Sequence, residues 1–271
     1  MIARSELAPA NRIRMCLALV ALHAHPRYPL VIAANRDEFH ARDAEPAHWW
    51  PEGILAGRDR VGGGTWFGVT HHGRWALVTN FREGVARDPR APSRGGLVTQ
   101  ALSAAQSPLA CAARMAVDGE RFHGFNLLIG EGPSAAYVSN RASGAIGLGA
   151  GIHGLSNHLL ETPWPKLVRS KAKLETALSA GGDPIDAAFD LLADREQAAA
   201  AALPATGVSP QWERLLSSAF IVNADYGTRC STVLTIDVAG TARFVERSFD
   251  ALGRATGEIA QAFAIQPGGP G

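Results

Sequence analysis

With 271 residues, 46% of them apolar and 19% charged, the chain can bury a substantial core and has the balance of a soluble globular protein. A formal net charge of +1, with no long basic run, argues against a nucleic-acid or anionic-membrane surface. No apolar stretch reaches the roughly 18 residues that span a bilayer, and the polar residues Arg4, Glu6, Asn11, Arg12 and Arg14 leave no secretory h-region at the start.

Residues 1–14 read as a disordered or removable extension, 15–265 as one domain, and 266–271 (QPGGPG) as a flexible tail. The apolar runs 16–23 and 28–34, separated by a turn at Pro26, predict a pair of buried strands. Residues 65–69 and 74–79 flank His71, His72 and Gly73 as a second hairpin, and 125–129, 135–139 and 145–148 continue the strand-turn pattern. The segment 97–116 has helical spacing with a break at Pro108. A helix is predicted over 164–178, with Pro165 near its first turn, and another over 184–201 after the cap Asp183. A last hairpin joins 231–237 to 242–248 through Gly240. Hairpins at both ends with helices between them give an antiparallel α+β domain.

Cys16, Cys111 and Cys230 are too few and too scattered for a disulfide framework or a CxxC metal site, so a reducing cytoplasm is the simplest compartment. Cys16 follows Met15. If translation begins at Met15, its removal frees an α-amine whose reference pKa of roughly 7.7–8.0 suits a local base for the thiol. The competing reading is a buried strand cysteine acting as a small hydrophobe. Asn35, Arg36, Asp37 and Glu38 follow the second apolar run, either as a surface turn or as a charged rim beside the thiol, where Arg36 would stabilise a thiolate or bind a carboxylate. Gly57-Arg58-Asp59 and the glycines at 62–64 read as a loop entering a strand; no Gly-Lys-Ser/Thr follows, so this is not a phosphate loop. Asn80, Asn157 and Arg229 stand at strand ends, where asparagine amides suit an oxyanion site or a plain turn.

Taken together, these segments resemble the family named for its Asn-Arg-Asp-Glu motif, also called the transport-and-Golgi-organisation family. The resemblance is carried in order by MC at 15–16, AANRDEF at 33–39, GGGTWFGV at 62–69, LVTNFRE at 77–83, SRGGLV at 93–98, FNLLIG at 125–130, GLSNHLLETPWPK at 154–166 and YGTRCSTVL at 226–234. It implies a four-layer αββα sandwich of two antiparallel sheets, similar to N-terminal-nucleophile hydrolases. It also implies a pattern similar to penicillin V acylases and bile-salt hydrolases, which use an N-terminal Cys, an Arg and Asp on the next strand, two Asn and a late Arg. Cys16, Asn80, Asn157 and Arg229 match that pattern. The NRDE strand departs from it: the hydrolases place Arg and Asp three apart, whereas Arg36 and Asp37 are adjacent and Asn35 and Glu38 are the pair three apart.

The function so implied is hydrolysis of an acyl amide or thioester through Cys16, with no cofactor required. In it Asn80 and Asn157 bind the oxyanion, Arg229 positions thiolate or substrate, and Asp37 or Glu38 orients the amine. The alternative from the same resemblance is a carrier of haem, acyl-CoA or lipid in the same cleft, with Cys16 or one of His71, His72, His153 and His158 as a haem ligand.

Overall fold

The computed structural model describes residues 16–82, 88, 90–266 and 268. The expected extension 1–14, Met15 and most of the 266–271 tail therefore lie outside the described residues.

The first sheet has six strands. β1 (Cys16–Leu22) and β2 (Leu30–Phe39) form the expected buried pair, flanked by β10 (Gly151–Leu155) on one side and β11 (Tyr226–Ile236), β12 (Thr241–Phe249) and β13 (Ala255–Ala264) on the other. The second sheet runs in sequence order: β3 (Ala44–Trp49), β4 (Ile54–Asp59), β5 (Phe67–Thr70), β6 (Arg74–Asn80), β7 (Phe125–Glu131), β8 (Ser134–Ser139) and β9 (Ala145–Leu148). Each described pairing is antiparallel.

The period-two alternation of each strand sorts its side chains between two cores. Ala18, Val20, Ile32, Ala34, Leu234 and Phe244 face Leu55, Phe67, Val69, Trp75 and Leu77 across the sheet-sheet interface. The alternate residues Leu17, Leu19, Val31, Ala33 and Val233 carry α3 (Pro165–Ser179) and α4 (Pro184–Leu192) through Leu167, Leu174, Ile185 and Phe189. On the other outer face, Ala76, Leu127 and Ile129 carry α1 (Gly95–Leu102) and α2 (Pro108–Asp118) through Leu97, Val98, Ala112 and Met115. The result is the four-layer αββα sandwich.

Proline sets the helix starts: Pro108, Pro165 and Pro184 each stand in the first turn, and Ser107 and Asp183 accept from backbone amides there. The expected helix over 184–201 stops at Leu192. Asp194 then turns its carboxylate to Arg169, Lys173 and the Glu196 amide, which holds the chain out of helical geometry. β3, β4, β10, β13 and the short α5 (Pro210–Leu215) had no clear period in the sequence. Among the described residues no helix is long and apolar enough to cross a membrane.

Candidate active site

Cys16 opens β1, and its Cα partner is Arg36 on β2. Arg36 in turn pairs with Cys230 on β11, and Cys230 with Ser248 on β12. This row lies on the face turned toward the second sheet, where it forms one wall of a cleft of about 510 Å³. The other wall comes from Asp59, Gly62, Thr65 and Trp66, from Val78 and Asn80 at the end of β6, and from Ser93, Arg94 and Gly95 at the start of α1.

Asp59 organises that second wall. Its Oδ1 accepts from the Val61 and Gly62 amides at 3.0 Å each, and its Oδ2 receives Arg42 at 2.8 Å from Nε and 2.7 Å from Nη2. The loop then passes so close to α1 that a Cβ on Gly64 would lie 2.4 Å from the Gly95 carbonyl carbon. Glycine is required there for close backbone approach, not for phosphate binding.

The NRDE residues do not form a turn after the strand; they are its last full stretch. β11 pairs with them through Cys230↔Arg36, Thr228↔Asp37 and Gly227↔Glu38, with an irregularity between Thr228 and Cys230. Register divides them between faces. Asn35 turns to the helix layer, where Nδ2 donates to the Leu192 and Ala219 carbonyls at 2.8 Å each and Oδ1 accepts from Ser231. It does not join the cleft. Arg36 and Glu38 face the cleft and each other, with Arg36 Nη2 3.9 Å from both Glu38 and Asp59, and Glu38 3.7 Å from Arg42. Asp37 lines the cleft beside Cys16; its Oδ1 accepts from Thr228 Oγ1 at 2.6 Å, while its buried Oδ2 has no hydrogen-bond partner.

The backbone nitrogen of Cys16 donates to Asn157 Oδ1 at 2.9 Å, and Asn157 Nδ2 donates to the Asn80 carbonyl at 2.9 Å. Ser156 Oγ donates to the Cys16 carbonyl at 3.0 Å. Asn157 therefore holds the Cys16 nitrogen, while Asn80 lines the cleft. Burial first, then the Asp37 carboxylate, pushes the Cys16 thiol up to about 12; the Asp37 amide bond and Arg36 pull the other way. Burial pushes Asp37 up to about 6, opposed by Lys166, the Thr228 bond and Arg36. Arg229 also lines the cleft, but its Nη1 donates to the Phe39, His40 and Arg42 carbonyls at 3.1–3.2 Å, so it clamps the chain leaving β2.

Sequence reasoning missed Lys166, fully buried on the first turn of α3 and pushed down to about 8 by burial, with Asp37 opposing. A lysine on the first turn of a helix normally meets water, so its burial here is not legible from its neighbours in the chain. It also missed Cys230, whose thiol is raised well above its ordinary value by burial and by Glu246.

The four histidines considered as haem ligands are elsewhere. His71 stacks on Trp49 at 3.7 Å between centroids, and the ring nitrogens of His72, His153 and His158 meet Gln266, Gly149 and Thr162. None of the described residues lining the cleft is a histidine. The described lining thus offers an axially ligated haem no histidine, only the Cys16 and Cys230 thiols.

The family model described as Transport and Golgi organisation 2 matches residues 15–251. The chain is similar to the Transport and Golgi organization protein 2 homologs of Bos taurus and Homo sapiens, 34% identical to each, with alignments covering 86% of this chain and 93% of theirs. It is similar at 26% identity to Transport and Golgi organization protein 2 of Drosophila melanogaster, over 88% of this chain and 93% of that one. Among solved structures, a mutant conjugated bile acid hydrolase from Clostridium perfringens superposes with a TM-score of 0.46 at 7% identity, covering 92% of both chains.

Proposed function

The chain belongs to the Transport and Golgi organisation 2 family, and on that premise we propose that it is a hydrolase that opens an amide or thioester bond with the Cys16 thiol. The observation that carries this reading is the cradle around the Cys16 nitrogen. Asn157 Oδ1 already accepts one hydrogen from it, and the buried Oδ2 of Asp37, next to the thiol, is unfilled. An amide nitrogen has one hydrogen to give. An α-amine has a second, which suits Asp37, and a lone pair to accept the thiol proton.

In this reading the amine takes the thiol proton as Sγ bonds to the substrate carbonyl carbon. The Asn80 carboxamide steadies the oxyanion, worth roughly 3–4 kcal/mol in a well-formed site. Collapse breaks the C–N or C–S bond, and the ammonium returns its proton to the leaving group. Water, activated by the same amine, then attacks the acyl-thioester; the acid leaves and the thiol regains a proton. Arg36 faces the cleft where a substrate carboxylate or the thiolate would lie. Glu38, held between Arg36 and Arg42, is less suited to orient the amine than Asp37.

The reading requires Cys16 to be the first residue of the working protein. With a residue ahead of it the base is gone, and a thiol at about 12 stays protonated. A chain started at Met15, with Met removed and the new terminus confirmed by mass spectrometry, is expected to hydrolyse members of a panel of acyl amides and thioesters. The full 271-residue chain is expected to be slower by about 100-fold or more, the usual worth of a positioned base. Equal rates would remove the amine from the mechanism. Inactivity of both, with tight acyl-CoA binding or a haem Soret band, would replace the hydrolase with the carrier.

A further inference from the structure

Lys166 is fully buried, its Nζ has no hydrogen-bond partner, and the same holds for the nearby Oδ2 of Asp37. An ammonium placed there loses its water and meets the positive end of α3, two penalties that a Met or Leu of similar size would avoid. Packing alone does not call for a charge at this position. Asp37 is the largest favourable influence on the lysine's charge, and Lys166 is the largest on the ionisation of Asp37.

Resting on the hydrolase reading, we propose that Lys166 is a positioning residue for the Cys16 nitrogen. Its positive charge keeps the Asp37 carboxylate ionised, so that Asp37 can hold the α-amine of a chain that begins at Cys16. Lys166 acts through Asp37 and takes no part in the bond changes.

The groups around the pair are consistent with this division of labour. Cys16 faces it from β1, and Arg36 and Glu38 from β2, with Thr228 of β11 bonded to Asp37. Arg82, just beyond β6, opposes the lysine's charge. Arg82 is itself neutralised by Glu213 of α5 at 2.7 Å, so Asp37 remains the anion that answers Lys166. Behind Lys166 a cavity of about 10 Å³, lined also by Arg82, Glu213 and Ser217, is near the smallest volume that admits one water.

The test begins with the full 271-residue chain, which has no free Cys16 amine. Carboxyl-13C NMR is expected to show Asp37 titrating near 6 in the wild type. In Lys166→Met the midpoint should rise by about one unit or more, and in Lys166→Arg it should stay or fall. An unmoved midpoint in Lys166→Met overturns the proposal. Should that variant fail to fold, Asp37→Asn reads the same coupling from the other side, because linkage is reciprocal: the Lys166 midpoint, near 8, should fall by about one unit or more. No fall overturns it equally. In the chain that starts at Cys16, the acid limb of turnover should move with Asp37, upward in Lys166→Met and not in Lys166→Arg. Turnover with an unmoved limb refutes the positioning role. No turnover in any chain, with the Asp37 shift intact, refutes the hydrolase reading and the amine-holding role with it, leaving the charge coupling established by NMR.

Discussion

Two buried acid–base pairs lie near one another by the start of α3, and they are built in opposite ways. Arg82 and Glu213 are complete: Arg82 Nη1 reaches Glu213 Oε2 at 2.7 Å and Thr206 Oγ1 at 2.6 Å, its guanidinium lies 4.8 Å above the Trp164 ring, and Glu213 Oε1 accepts from the Thr206 amide at 2.8 Å. Asp37 and Lys166 each keep a buried atom with no partner. In a low-dielectric interior a satisfied network fixes structure, whereas an unsatisfied one is expensive and persists where function uses it. The first pair ties α5 and the Thr206 segment to the end of β6. The second stands beside the Cys16 thiol.

The sharpest way to break this contrast is to halve the complete pair. Glu213→Gln or Arg82→Met leaves one charge stranded and should destabilise the fold by roughly 3–5 kcal/mol in chemical denaturation. The turnover of the molecules that remain folded should fall far less than in Asp37→Asn, because the change reaches the thiol only through the Lys166 charge. A loss below about 1 kcal/mol would show that the network is not what holds α5 in place.

The reverse is expected of the incomplete pair. In a chain that starts at Cys16, Asp37→Asn should lower kcat/KM by about 100-fold, near 2.7 kcal/mol of transition-state stabilisation. The melting temperature should move little, since the asparagine can still accept the Thr228 bond at Oδ1. A large fall in melting temperature with intact specific activity would make Asp37 structural as well.

The smallest expected effect sharpens the comparison through pH. Asp37 is raised in the fold from 3.8 to about 6, so its contribution is fully present below 3.8 and lost as pH rises through about 6. Lys166 is lowered from 10.5 to about 8, so its contribution is present above 10.5 and lost as pH falls through about 8. Between about 6 and 8 both are charged and the pair weighs most on the fold. Melting temperature against pH should dip by a few degrees in that window for the full chain. The dip should be absent in a double Asp37→Asn, Lys166→Met variant.

Much of this architecture was legible in the sequence because alternation and proline placement act locally. The β1–β2 pair, the break at Pro108, the start of α3 and the late β11–β12 hairpin all followed from short windows of residues. What escaped needed partners distant in the chain. The NRDE residues looked like a strand end because four polar side chains follow Ala34; they remain in β2 because β11, nearly two hundred residues later, pairs with them through Phe39. β13 escaped because its small residues alternate weakly and most of its side chains face solvent. In the site, the motifs drew attention to Cys16, Asn80 and Asn157, which the fold gathers at one place. Which NRDE residue faces which layer depends on register. Asn35 and Asp37 share a parity, yet one joins α4 and the other stands beside the thiol.

The crossing of the 62–66 loop over the start of α1 has a consequence for ligand choice. Because Gly64 and Gly95 meet backbone to backbone, that wall is already at van der Waals contact and its thickness is fixed by the main chain. The aperture thus behaves as a rigid gauge on this side: even a methyl at 64 would prise the wall apart instead of narrowing the opening. Accommodation of bulkier guests falls to side chains at the rim, to Val61 beside this wall, 66% exposed, and to the half-buried Phe249 across the cleft, which, unlike main chain, are free to turn.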